Sequence, residues 1–200
     1  MKKIALLISS LVVAVLSVSA YAASVVPMPL SELVKSSDTI LVGRCEEIRS
    51  YWKDNKIYTD NVIAVEQVIK GDEVTQYVVT TLGGTAIHPR LKAPVKMAVP
   101  GGARFNQDGQ ALLMVSTNSE GVHQIVGLTQ GKFDIEIDPD SGKRLIPVGQ
   151  KVVTNEPKEA DISDLLFSPF AFDAHTTRIR VRKMELSEMI GLIEAEIAGK

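Results

Sequence analysis

Apolar residues recur along this chain with a period that changes from segment to segment, and each period predicts a different element. Lys2 and Lys3 precede an almost unbroken apolar run from Ile4 to Val18, and the small residues Ala20 and Ala22 follow. A basic start, a short apolar stretch and a small-x-small site make up a secretory signal, so cleavage is expected after Ala22. The run contains Ser9, Ser10 and Ser17 and falls short of the roughly 20 apolar residues of a membrane span. A cleaved leader therefore fits better than an anchor.

Beyond it, Leu30-Ser31-Glu32-Leu33-Val34-Lys35 carries helical spacing. Ser31 suits an N-cap and Glu32 the first turn, where a carboxylate complements the helix dipole. Thr39 to Ile48 reads as a strand. Asp54-Asn55-Lys56 makes a polar turn, and Ile57 to Lys70 returns antiparallel to it. A third strand, from about Thr75 to Leu82, is cut by Gly83-Gly84. Pro89, Pro94, Pro100 and Gly101-Gly102 then mark 85–110 as mostly loop. Ala111 to Val115 is a strand, joined through Asn118-Ser119-Glu120-Gly121 to Val122–Leu128 as a hairpin.

Lys132-Phe133-Asp134-Ile135-Glu136-Ile137-Asp138 alternates strictly, which predicts one buried and one wet face. Pro139-Asp140-Ser141-Gly142 turns the chain, and 143–148 comes back, placing Lys143 and Arg144 opposite the acidic strand. The stretch 149–173 is polar except for Leu165-Leu166-Phe167 and 170–172, read as clips that hold an extension on the domain. From Glu185 the period becomes helical: Leu186, Met189, Ile190, Ile193 and Ile197 line one face, expected to pack on the domain.

The sum is a mainly β chain, a small antiparallel barrel or sandwich of the oligonucleotide/oligosaccharide-binding (OB) kind, with a short N-terminal helix and a C-terminal amphipathic helix. Its expected organisation is a signal peptide over 1–22, a β domain over 23–148, and an extension over 149–200 whose helix packs on that domain. The mature chain has 178 residues, enough for one hydrophobic core. Its 20 basic against 24 acidic side chains argue against a nucleic-acid partner, whose phosphates need basic clusters. Cys45, the only cysteine, has no partner for an internal disulfide and reads as a buried core residue.

Taken in order, Leu30-Ser31-Glu32-Leu33-Val34, Ser37-Asp38, Gly43, Tyr58-Thr59, Val68-Ile69-Lys70-Gly71-Asp72, Gly83-Gly84, Gly127 to Phe133 and Asp140-Ser141-Gly142 resemble a group of exported bacterial proteins of unknown function. The resemblance spans about 29–148 and implies export and a compact β domain. More remotely, the opening helix, the strand ending near Gly43 and the Lys-Gly-Asp step are similar to netrin-like modules of metalloprotease inhibitors. Those inhibitors act through an N-terminal cysteine, whereas the expected mature start here is Ala23-Ser24-Val25.

Catalytic groupings are sparse. His88, His123 and His175 stand far apart, without the H-E-x-x-H pair that puts two imidazoles on one metal. No G-x-S-x-G occurs; Ser50-Tyr51-Trp52-Lys53 matches S-x-x-K by letter but lies in a predicted hairpin, where the spacing does not bring lysine back over serine as a helical turn does. Asp134, Glu136, Asp138 and Asp140 resemble the start of a calcium loop, yet Pro139 and Leu145 hold the places of its glycine and glutamate. Gly83-Gly84 and Gly101-Gly102 lack the lysine and serine of a P-loop and read as corners.

The best candidates for recognition are Tyr51, Trp52 and Tyr58, which flank a basic hairpin tip with Lys53 and Lys56. The expected function is an exported, periplasmic or secreted, non-catalytic binding or structural module of the cell envelope. It would have no cofactor, no metal and no membrane span after cleavage, and an envelope or secreted protein as partner. The alternatives are an exported hydrolase with a dispersed, metal-assisted site at His88 or His123, and a netrin-like protease inhibitor. Intact-mass measurement of the exported protein is expected to give a chain beginning at Ala23; a mass retaining residues 1–22 would show an uncleaved anchor instead.

Overall fold

A computed structural model of the chain describes residues 26–148 and 182–199. The expected signal segment and mature start, the 149–173 stretch read as carrying apolar clips, and His175 lie outside the described residues. The described residues form α1 (Leu30–Lys35), β1 (Thr39–Lys53), β2 (Lys56–Lys70), β3 (Gln76–Leu82), β4 (Gly84–Ile87), β5 (Pro94–Met97) and β6 (Gln110–Thr117). Then come β7 (His123–Ile125), β8 (Lys132–Asp134), β9 (Glu136–Ile137), β10 (Arg144–Val148), β11 (Arg182–Glu185) and α2 (Leu186–Ile197). The architecture is mainly β, antiparallel throughout, with two helices.

The main sheet has the order β3-β2-β1-β6-β7, with β8 also paired to β6. Its centre is the ladder of β1 on β6, from Thr39↔Val115 to Arg44↔Gln110. Successive side chains on a strand point to opposite faces. Ile40 and Val42 therefore meet Met114 and Leu112 on one face, and Leu41 and Cys45 join Leu113 and Val115 on the other. The first face is covered by α1, α2 and Ile146 of β10; the second packs with Ile63, Val79, Ala103 and Ile125. The α2 stripe follows expectation at Leu186, Met189 and Ile193, which are buried, while Ile197 at its last turn is exposed.

The sheet curls until its edge strands β3 and β7 approach each other, bridged by the Tyr77 and His123 rings at 4.5 Å between centroids. No backbone ladder joins them among the described residues, and no closed barrel is found. No helix there is long and apolar enough to cross a membrane.

Several local expectations change. The N-cap of α1 is Pro29 (φ −65°), not Ser31, because the helix starts two residues early and delivers Leu30 to the core. The other end of α1 is closed by Lys70, whose Nζ donates to Val34 O (2.9 Å) and Ser37 O (2.5 Å), and by Ser37 Oγ donating to Leu33 O. The 85–110 region contains the β4–β5 ribbon as well as loops; β-pairing overrides its prolines, since Pro94 opens β5 where no ladder donor is required.

The alternation of 132–138 holds for Phe133 and Ile135, but Ile137 is 63% exposed on a small outer sheet. Lys132 is not wet: its side chain is 6% exposed, paired with Asp134, with its ammonium 5.2 Å from the Phe105 ring centroid. Lys143 pairs with Glu185 of β11, and Arg144 reaches Glu66 of β2 at 2.9 Å. It is Lys183 of β11 that pairs with Glu136, at 2.8 Å. The sequence could not show that β10 has a second neighbour across which these charges pair.

Cys45 is buried, as expected, and burial pushes its thiol pKa up. Gly43 sits where β1 shifts register on β2; a Cβ there would lie 2.5 Å from Ala64 O and 2.6 Å from Ile63 Cγ2. Gly43→Ala is therefore expected to lower stability by about 2–3 kcal/mol, the upper range for overpacking, in urea denaturation. A change within about 0.5 kcal/mol, the scatter of harmless surface substitutions, would show that β1 and β2 separate freely at this point.

Candidate functional site

The outer half of the β1–β2 hairpin runs past the double-sided core, and its burial pattern changes accordingly. Thr39 to Gly43 are all buried, whereas from Arg44 onward exposed positions intervene. The hairpin closes at Lys53↔Lys56 over Asp54 and Asn55, both left-handed (φ 50° and 60°). A two-residue turn with both centres left-handed matches strand twist, and Asp and Asn tolerate that conformation better than most residues.

Cross-strand neighbours share a face, so the three predicted aromatics divide. Tyr51 pairs with Tyr58, their rings stacked at 6.3 Å and 26°, and Leu82 of β3 continues the row. This face is open: Tyr51 is 37% exposed. Its hydroxyl donates to Asp60 Oδ1 (3.2 Å), which also accepts from Thr80 Oγ1 (2.7 Å). Partial burial, then the Asp60 charge, pushes the Tyr51 phenol pKa up, keeping it a donor.

Trp52 lies on the opposite face with the buried Ile57. There it meets a second hairpin. After β3, Gly83 N donates to Ile57 O (2.8 Å) and Thr59 Oγ1 donates to Gly83 O (2.6 Å). Gly84 follows at φ 132°, where a Cβ would come within 2.2 Å of Thr59 Oγ1. This glycine corner turns β4 back over β1 and β2 and brings His88 edge-on to Trp52, centroids 4.8 Å apart and rings at 77°.

His88 also shapes its own loop. Its Nδ1 accepts from Arg90 N (3.2 Å) and Leu91 N (3.1 Å), while His88 N donates to Ala93 O and Lys92 N to His88 O. Pro89, Arg90, Leu91 and Lys92 are thereby held outward, all exposed. The Trp52–His88 contact thus places two basic tips side by side, Lys53 and Lys56 on one and Arg90 and Lys92 on the other. Sequence reasoning missed the second tip. Its trace in the chain is a leucine between two cations in a proline loop, with no sign that the loop folds back on Trp52.

His123 is elsewhere, at the bridged sheet edges. Its Nδ1 lies 3.1 Å from both Tyr77 Oη and Thr117 Oγ1, and Tyr77 Oη is 3.3 Å from Thr39 Oγ1. The neighbouring Asp38 carboxylate accepts Thr117 N (2.7 Å) rather than the imidazole. His88 and His123 therefore each use Nδ1 in structural bonds and are not brought together. Ser50 Oγ bonds Thr59 Oγ1 (2.8 Å), with Lys53 three residues farther along the strand. Among the described residues no three His, Cys, Asp or Glu side chains converge on a metal position. The surface depressions at Glu73–Gln76 and beside α1 are open and shallow.

The chain matches no protein-family model and no curated protein.

Trp52 Nε1 is buried and donates to no group among the described residues. A buried unpaired donor is a cost, whereas ring packing is a gain. Trp52→Phe is therefore expected to leave the thermal midpoint unchanged or higher, while Trp52→Ala costs about 3 kcal/mol, the low end for aromatic truncation because the ring is only partly buried. Equal losses in both variants would show that Nε1 has a partner.

Proposed function

We propose that this protein is an exported, non-catalytic binding module of the cell envelope, and that Tyr51 and Tyr58 are its protein-contact residues. The observation that carries this reading is the stacked tyrosine pair on the open face of a long hairpin. Tyrosine offers wide contact area, few rotors to freeze and a hydroxyl for pairing, which is why it anchors many interfaces. Here the hydroxyl of Tyr51 is oriented by Asp60, and the two strands hold the rings without help from a partner. Preorganisation of this kind lowers the entropic cost of association.

Export rests on the leader pattern of residues 1–22 and on the resemblance of 29–148 to exported β domains. Trp52 has a different role in this reading: it docks the second hairpin and serves the binding face only by stiffening the tip.

The test is affinity capture from envelope extract with residues 23–200 as bait, comparing the parent with Tyr51→Ala/Tyr58→Ala and Trp52→Phe. The expected result is a stoichiometric partner protein retained by the parent and by Trp52→Phe. The double tyrosine variant should lose it, with a thermal midpoint within a few degrees of the parent. Undiminished capture by that variant, or a loss of folding in step with the loss of binding, would make the tyrosines structural.

A further inference from the structure

We infer that the two joined hairpin tips form a peripheral docking surface for a membrane leaflet bearing anionic phosphate headgroups. The tyrosine pair lies on the opposite face of the β1–β2 hairpin from Trp52, so this surface is separate from the one proposed above and stands or falls independently of it.

Three observations converge on a lipid surface. First, the charge is segregated. The two turns present Lys53, Lys56, Arg90 and Lys92 against the single carboxylate of Asp54, in a mature chain that carries more acidic than basic residues overall. Cations gathered at one end of an otherwise acidic molecule orient that end toward a negative surface and turn the rest away.

Second, apolar side chains stand out among those cations. Leu91 is 69% exposed between Arg90 and Lys92, and Ile87, at the open end of β4, is 58% exposed. A soluble polyanion would be served by the charges alone. An apolar residue at the crest of a basic loop gains free energy only where it enters an apolar medium, such as the boundary between headgroups and acyl chains.

Third, the crest is built rather than loose. His88 accepts two backbone N–H groups of the loop and packs on Trp52, so Arg90, Leu91 and Lys92 are presented together beside the Lys53 and Lys56 turn. The association would be reversible and superficial, since only loop residues project. Each cation near an anionic bilayer contributes about a fivefold gain in affinity, and insertion of Leu91 about a further tenfold.

The experiment is cosedimentation of residues 23–200 with vesicles of phosphatidylcholine alone or mixed with phosphatidylglycerol, across a salt series. The expected result is binding to the mixed vesicles only, weakening as salt rises. Arg90→Ala/Lys92→Ala should bind about 30-fold more weakly and Leu91→Ser about tenfold more weakly, both with unchanged thermal midpoints because these side chains are exposed. Tyr51→Ala/Tyr58→Ala should bind vesicles as the parent does, which separates this surface from the protein-contact reading. Absence of binding to the mixed vesicles, equal binding to neutral ones, or indifference to Arg90→Ala/Lys92→Ala would overturn the inference. So would full binding by Leu91→Ser, which would reduce the surface to a polyanion site without insertion.

Discussion

Everything in this structure is referred to the ladder between β1 and β6. Thr39 to Gly43 and Ala111 to Val115 are buried on both faces, so these short segments form the partition between two cores rather than the wall of one. The helices and β10 attach to one face, and the inner side of the β2–β3 arm packs against the other. A strand covered on both sides reads as a continuous apolar run, and Ile40-Leu41-Val42 and Ala111-Leu112-Leu113-Met114-Val115 are the two such runs. Because the register fixes which alternate residue faces which core, a slip of one position would exchange both sets at once.

The candidate surfaces follow from where that partition ends. Past Cys45 the bulge in β1 and the loss of helical cover leave the long hairpin one-sided. One face then needs covering and the other is free. Cover comes from the β4–β5 ribbon, steered by the glycine corner and held where the Thr59 hydroxyl donates to Gly83 O (2.6 Å) and meets Ser50 Oγ (2.8 Å). Buried hydrogen bonds of this kind fix one arrangement, because any other would leave their partners unsatisfied. The free face keeps the tyrosine pair, and the covered face joins the two tips.

Outside the cores, the small sheet of β9, β10 and β11 is tied by exposed ion pairs, Lys143 with Glu185, Lys183 with Glu136, and Arg144 with Glu66 of the main sheet. Exposed pairs contribute little stability each. Their effect is on placement: they align β10 so that Ile146 enters the helix-covered core, which is where the C-terminal helix also finds its apolar partners.

Much of this was legible in the chain because local chemistry dictated it. The Asp54-Asn55 turn, the strand from Ile57 to Lys70, the strand at Ala111 to Val115, the burial of Cys45 and the apolar stripe of Leu186, Met189 and Ile193 each follow from periodicity or from the φ angles a residue tolerates. What the sequence left open depends on contacts between distant segments. Periodicity assigned Ile137 to a buried face, but the face it occupies is uncovered; it assigned Lys132 to solvent, but Phe105 covers it. Three aromatics flanking one turn looked like one patch, and pairing across the hairpin put Trp52 on the far side, against a histidine from another loop. The sequence by itself determined the long strands, the hairpin turn and the apolar stripe of the C-terminal helix, since those depend on residues a few positions apart, but not the β4–β5 ribbon, which exists only through pairing. Only the tertiary structure decided which faces are covered and which charges meet, because burial and charge pairing depend on elements brought together from far along the chain.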